Sequence, residues 1–360
     1  MRIVFSVALI FSLIISAVGV ATAQSTGRKR APASTTGAVK TSARPKAPSP
    51  AATDELLSML PASDLIAVVD AGRAFNELLP KLAGLTVGGV DKLAKSIQDF
   101  TLKTGIDPSR IQNVVLSFSM DGPQGTGVIV IKGIDPDPQQ IEAAMKEFGS
   151  EFKTSDYKGK TIYNVVAKVK PPSAGPLSLK TDDVALAALG GQRVVFGDLK
   201  VVKQVIDIQA GAAKGGVSDA MAGALNETRA SALVRFALNI PESLRAEAAN
   251  QGDLFKSVAA IKMILGTFDV ASDFSLSLDA IIRAATQNDA TELENGLKGL
   301  VALGKDIFGG GDPKTNIFAQ LLDQVKIGAK VKDVSLSITL SREILDQLTK
   351  KETAPPAEKK

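Results

Sequence analysis

Residues Val114–Phe148 read VVLSFSMDGPQGTGVIVIKGIDPDPQQIEAAMKEF, and this stretch decides the fold. Val114, Leu116, Phe118 and Met120 alternate with Val115, Ser117 and Ser119. A period of two puts the larger apolar side chains on one face of a strand and the small hydroxyls on the other. Asp121-Gly122-Pro123 and Gly125 are turn formers, and Val128 to Ile131 is a continuous apolar run suited to a strand covered on both faces. Asp137-Pro138 then offers an N-cap acceptor followed by proline at the first helical position. Ile141, Ala144, Met145 and Phe148 follow at i, i+3, i+4 and i+7, and Gly149 supplies a stop. The stretch predicts a β-hairpin feeding a helix.

The same grammar returns downstream. Phe274, Leu276, Leu278, Ala280 and Ile282 alternate with Ser275, Ser277, Asp279 and Ile281. Asp289 then caps a helix, with Glu292 as its capping-box partner, and Leu293, Leu297, Leu300 and Val301 form the apolar stripe. The repetition of pattern, rather than of residues, points to an internal duplication. The expected fold is α+β, with two tandem related units, each an antiparallel sheet covered by helices on one face.

Met1-Arg2, the apolar run Ile3 to Val20 and Ala21-Thr22-Ala23 have the layout of a secretory signal peptide over residues 1–23, with cleavage after Ala23. The run approaches a membrane-spanning length, so a retained anchor is the competing reading. Residues 24–53 are rich in Ala, Ser, Thr, Pro, Lys and Arg, too polar to bury a core, and predict a disordered basic linker. The first unit is expected over 54–211. In it, Leu65 to Val69 reads as a strand. A helix through Phe75, Leu78, Leu79 and Leu82 is broken or kinked at Pro80, and a cleaner one runs through Val90, Leu93, Ile97 and Phe100. Strands near Phe152–Tyr157 and Thr161–Val166, a hairpin about Gly190-Gly191, and a helix capped by Asp198 complete it. Residues 212–229 read as a Gly- and Ala-rich connection and 230–349 as the second unit. The second unit opens with a strand, Leu233 to Leu238, then a helix from Pro241 and another through Phe255, Val258 and Ile261; its last helix is Ile344 to Leu348. Residues 350–360 form a disordered tail.

Leu60-Pro61 with Asp64, the run Thr104-Gly105-Ile106-Asp107-Pro108, and Tyr157-Lys158-Gly159 before Ile162-Tyr163 resemble a class of exported bacterial proteins of unknown function. The resemblance covers most of residues 54–349 and implies export and a repeated α+β fold, with no activity attached.

Composition excludes much chemistry. The chain has no Cys and no His, so disulfides, thiolate catalysis, Fe–S clusters, His-ligated metals and a Ser-His-Asp triad are all ruled out. Trp is absent and aromatics make up 4%, which argues against a stacking surface for sugars or bases. The net charge of +4 is carried by the tails, including Arg28, Lys29, Arg30, Lys40, Arg44 and Lys46, and leaves the folded middle mildly acidic. Nucleic acid is therefore not an expected partner.

Short motifs fare poorly against their contexts. Ser155 to Lys158 spells S-x-x-K and Lys103-Thr104-Gly105 spells K-T-G, as in penicillin-binding acyltransferases, but the first sits in a strand and the second precedes it at a helix end. Asp135 and Asp137 lack an EF-hand's glycine and closing Glu, so Asp137 reads as a cap. Gly309-Gly310-Gly311-Asp312-Pro313-Lys314-Thr315 misses the P-loop spacing, and Asn226-Glu227-Thr228 is a glycosylation sequon in spelling alone. Ser117, Ser119, Ser275, Ser277, Ser335, Ser337 and Thr339 read as a solvated sheet face or a polar floor for a partner. No catalytic, cofactor-binding or metal-ligating residue is singled out.

The expected function is that of an exported non-catalytic structural or interaction module. Its partner would be a protein or cell-envelope component, and its linker would rest on an anionic surface. The alternatives are a carrier of a lipid or other apolar ligand, favoured by an apolar groove between sheet and helices, and a hydrolase using paired carboxylates.

Overall fold

A computed structural model describes residues 50–83, 90–120, 125–147, 151–166, 184–250, 259–308 and 317–344. The leader, most of the linker, Phe255, Val258, the Gly309–Gly311 run and the C-terminal tail lie outside the described residues.

The chain opens with α1 (Pro50–Ser58), then β1 (Leu65–Asp70). A helical segment follows, Ala71–Arg73, a π turn Ala74–Leu78, and Leu79–Ala83, together α2. Pro80 has no N–H to donate, and the widened turn lies immediately before it. Next come α3 (Val90–Thr104), β2 (Asn113–Ser119), β3 (Thr126–Lys132) and α4 (Pro138–Glu147). The Gln140 backbone N–H donates to Asp137 Oδ1 at 2.9 Å, so Asp137 is the cap its sequence context requires. Strands β4 (Glu151–Tyr157), β5 (Lys160–Val166), β6 (Val184–Ala188) and β7 (Arg193–Asp198) lead to α5 (Leu199–Gln209), capped by Asp198.

Within the stretch read as a connection, Asp219–Glu227 is a helix, α6, capped by Ser218 and seated on the sheet through Met221, Ala224 and Leu225. Then follow β8 (Val234–Asn239), α7 (Glu242–Ala249), β9 (Ile261–Val270), β10 (Leu276–Ala284) and α8 (Gln287–Phe308). Helix α9 (Ile317–Asp323) and strands β11 (Lys326–Lys330) and β12 (Asp333–Leu340) end the described chain. Ile261, read from sequence as helical, opens strand β9. The cap of α8 lies three residues earlier than Asp289 suggests. Asp289 N–H donates to Thr286 Oγ1 at 3.1 Å while Thr286 N–H donates to Asp289 Oδ2 at 2.9 Å, a reciprocal box closed by aspartate.

The fold is α+β, built on a 12-stranded antiparallel sheet in the order β11-β12-β10-β9-β8-β1-β2-β3-β7-β6-β5-β4. The two expected sheets are joined edge to edge: β1 pairs with β8, Val68 opposite Arg235 and Ile66 opposite Ala237. Outward from this seam the wings run β1-β2-β3-β7-β6-β5-β4 and β8-β9-β10-β12-β11. The first becomes the second when the hairpin β6–β7 is taken out.

Helices cover both faces of the first wing, where one face was expected. On one face, which we call the inner face, α1, α5 and α6 bury Leu56, Leu60, Val202, Val205 and Leu225 against Ile66, Val68, Val115, Val130 and Ala237. On the outer face, α2 and α4 bury Leu78, Ile141 and Met145 against Val69, Val114, Ile129, Val194 and Phe196. The two-sided cover follows from strands such as Leu65–Asp70, which are apolar at odd and even positions alike. Each fully buried Val, Ile or Leu contributes roughly 1.5–3 kcal/mol as an upper figure. Farther along the outer face, α8 seats Ala290 and Leu293 on Ala284 and Val334. Among the described residues no helix is long and apolar enough to cross a membrane.

Candidate interaction surface

The register of the central strands sets up a feature on the outer face that the helices leave open. Phe236 stands on β8 between Ala67 of β1 and Gly266 of β9, and the row continues through Ala280 and Leu336. Small residues therefore flank the one ring. The ring lies over Gly266, where an added Cβ would stand 2.9 Å from Phe236 Cζ and against the Asp279 carbonyl oxygen. Around this row, Leu65, Leu238, Leu278, Leu336, Ile338 and Leu340 are partly exposed. Together with Phe236 they belong to none of the three apolar cores that the described residues form. The result is an apolar strip on the sheet between the core under α2 and α4 and the core under α8.

Helix α8 carries a second apolar surface. Ala290, Leu293 and Leu297 face the sheet, as the periodicity requires. Leu300, Leu303 and Ile307 stand 59%, 54% and 63% exposed. They are spaced at i, i+3 and i+7, one flank of the helix. A Cβ added at Gly296 or Gly299 would meet nothing, so the turn before this ridge is an open notch. Charges border it: Lys298 Nζ holds Glu294 at 2.7 Å and Lys305 Nζ holds Asp323 at 2.7 Å. The Lys298 hydrogen bond keeps the Glu294 carboxyl below its usual range. Sequence reading placed Leu300 in the buried stripe, and the structure corrects this. The signal available was width: with Leu303 and Ile307 included, the apolar arc exceeds what a single sheet contact covers.

The residues weighed for chemistry fall into structural roles. Ser155 lies exposed on edge strand β4, and Lys158 Nζ is engaged by Asp207 Oδ1 at 2.5 Å. Thr104, the centre of the K-T-G spelling, is buried at the end of α3 and donates to the Phe100 carbonyl at 2.8 Å. The structure thus gives neither spelling a catalytic setting. Tyr157 donates to both Asp207 oxygens at 3.1 Å, and this hydrogen bond raises the phenol's pKa. Among the described residues no group of acids is arranged to hold a metal ion.

The serine-rich faces divide. Ser117 is buried and shares a hydrogen bond with Ser63, whereas Ser335 and Thr339 are exposed. Ser335 donates to the Gly328 carbonyl at 3.0 Å and Ser337 to Asp279 Oδ1 at 2.7 Å, so these hydroxyls are satisfied within the sheet.

No family model matches the chain, and no curated protein matches it. Among solved structures, crystal forms I, III and IV of TP0453, a Treponema protein of unknown function, align with TM-scores of 0.43, 0.44 and 0.41. Each is 8% identical; they cover 83%, 82% and 81% of this chain and 97%, 97% and 94% of their own.

Proposed function

We propose that this is an exported, non-catalytic interaction module that works by contact, with the apolar ridge of α8 and the apolar strip of the sheet as its contact surface. The observation that carries the reading is the exposure of Leu300, Leu303 and Ile307 on one flank of a capped, ordered helix. Scattered exposed apolar residues need no explanation, whereas an aligned set on one helix flank supports reading it as a binding surface. Export rests on the leader-like first 23 residues, and the basic linker then spaces the folded part from an envelope surface. The matched strand order of the two wings fits an internal duplication, with the β6–β7 hairpin added to the first.

A second reading has its own support. The partly exposed apolar strip about Phe236 and Leu238, which none of the three cores takes in, is open to an apolar ligand as well as to a protein. This is the carrier reading.

Native mass spectrometry of the mature chain from the exported fraction, beside Leu303→Asp, tests both. A defined complex with a protein, lost in the variant, is the expected result. An extra small mass removed by organic solvent moves the assignment to the carrier. A bare monomer in both proteins overturns the two readings together.

A further inference from the structure

We propose that the inner sheet face beneath α1 binds a small oxyanion, a carboxylate or a phosphate group, between Arg235 and Asn113. Register places the site. Arg193, Lys132, Asn113 and Asp70 lie side by side on β7, β3, β2 and β1, all on the inner face. Arg235 stands one step along, on β8, between Val68 and Thr267. Helix α1 crosses above this row. Its Glu55 takes Lys132 at 2.5 Å and Arg193 at 2.9 Å, and its Thr53 hydroxyl meets Arg235 Nη2 at 3.4 Å. Asn113 stands in that row between Lys132, which Glu55 holds, and Asp70.

What Arg235 and Asn113 Nδ2 lack is acceptors, since the Asp70 carboxylate on the strand between them gives its Oδ1 to the Arg73 N–H. Arg235 is 8% exposed and Asn113 2%. A guanidinium carries five N–H donors. Among the described residues, the one hydrogen bond of this guanidinium is to Thr53, longer than the ~2.7–2.9 Å of a charge-assisted bond. Asp54 and Asp70 act on it through space without a hydrogen bond. Among the described residues Asn113 Nδ2, with two further donors, has no partner. A bridging water would bring two hydrogens that need acceptors of their own. An oxyanion brings acceptors alone, and its charge offsets that of a buried cation, which is costly when unpaired. The carboxylate nearest in register, Asp70, is pushed up in pKa by burial, so it passes to the neutral form more readily than an ordinary aspartate and opposes an anion less as pH falls. Thr53 hydroxyl completes the roof. Glu55 is neutralised by Lys132 and Arg193, and Asp54 is exposed.

The test is thermal unfolding of the full mature chain in chloride buffer, with inorganic phosphate or acetate added at constant ionic strength. At a hundredfold excess over Kd the melting temperature should rise by about 5 °C. Whichever anion acts at the lower concentration identifies the oxyanion class. Arg235→Met keeps the aliphatic stem and removes the charge; it should fold and lose the response. Asn113→Val, compatible with a strand, should weaken apparent affinity about tenfold and provides the comparison should the first variant not fold. The response should strengthen as pH falls, because burial raises the Asp70 pKa and the residue takes up its proton before an ordinary aspartate would. A melting temperature indifferent to both anions, or an equal rise in wild type and both variants, overturns the proposal.

Discussion

Removing the Asp269 carboxylate should destabilise both wings of the sheet at once. Asp269 Oδ1 accepts from Arg73 Nη1 at 2.6 Å, from Val270 N–H at 2.9 Å and from Leu233 N–H at 3.3 Å, while Oδ2 takes Arg229 at 3.2 Å. Arg73 belongs to α2 on the first wing and also donates to the Ser231 and Val270 carbonyls at 2.9 and 2.6 Å. The pair therefore fastens the start of α2 to the end of β9 across the β1–β8 seam. Both side chains are mostly buried, so the pair lies between an exposed ion pair worth ~0–1 kcal/mol and a buried one whose breakage costs ~3–5 kcal/mol. Asp269→Ala should cost about 3 kcal/mol, because it leaves the Arg73 charge with carbonyl partners alone and the Leu233 N–H without its acceptor. At ~2–4 °C per kcal/mol the melting temperature should fall by about 6–12 °C. Arg73→Met should cost less, about 2 kcal/mol, since Asp269 keeps Arg229 and two backbone donors. The double variant should show a coupling energy of about 1–2 kcal/mol. With no Trp in the chain, far-ultraviolet circular dichroism and calorimetry are the suitable readouts. A loss under about 1 kcal/mol, or two transitions of which one is unshifted, would refute the reasoning that the seam makes the wings one cooperative unit.

Two further perturbations follow from the packing. Glu55 and Asp70 should give opposite acid-range pH profiles. The Lys132 hydrogen bond holds the Glu55 carboxyl below its usual range, so its stabilisation is present above the unfolded pKa and is lost as pH falls through the folded value. Burial raises Asp70, so stability instead declines as pH rises from the unfolded pKa through the folded one. Denaturant midpoints from about pH 3 to 7 should show Glu55→Gln below wild type at neutral pH and Asp70→Asn above it, both differences fading in acid. Parallel profiles would contradict these assignments. Gly266→Ala should cost ~1–3 kcal/mol, because the new methyl meets the Phe236 ring and the β10 backbone. A neutral melting temperature would show that the ring does not lie across the glycine.

How much of this was legible follows from the range over which each feature is encoded. The hairpin at Val114, the helix from Pro138 and the caps Asp137 and Asp198 are local, each specified within a few residues, and the chain spells them out. The β1–β8 seam is not local: nothing near Leu65 names Leu238 as its partner. The composition of β1 gave half of the answer, since apolar residues at successive positions require cover on both faces. Strand β9 carries no readable signal beyond Ile261, whose spacing from Val258 suits a helix, because Met263, Leu265, Ile264 and Phe268 place apolar groups on both faces and erase the period of two. Helix α8 is the instructive case. Its existence and its sheet-facing residues were readable, yet Leu300 was assigned to the core on the premise that an apolar residue at helical spacing is buried. That premise holds only as far as there is a surface to cover it, and Leu300, Leu303 and Ile307 are left more than half exposed. The helix itself is well specified, capped by Thr286 and Asp289, so the exposure of its ridge is no fault of the helix, and that exposure is the observation on which the proposed contact surface rests. The place where the sequence rule fails is thus the place where function is to be sought.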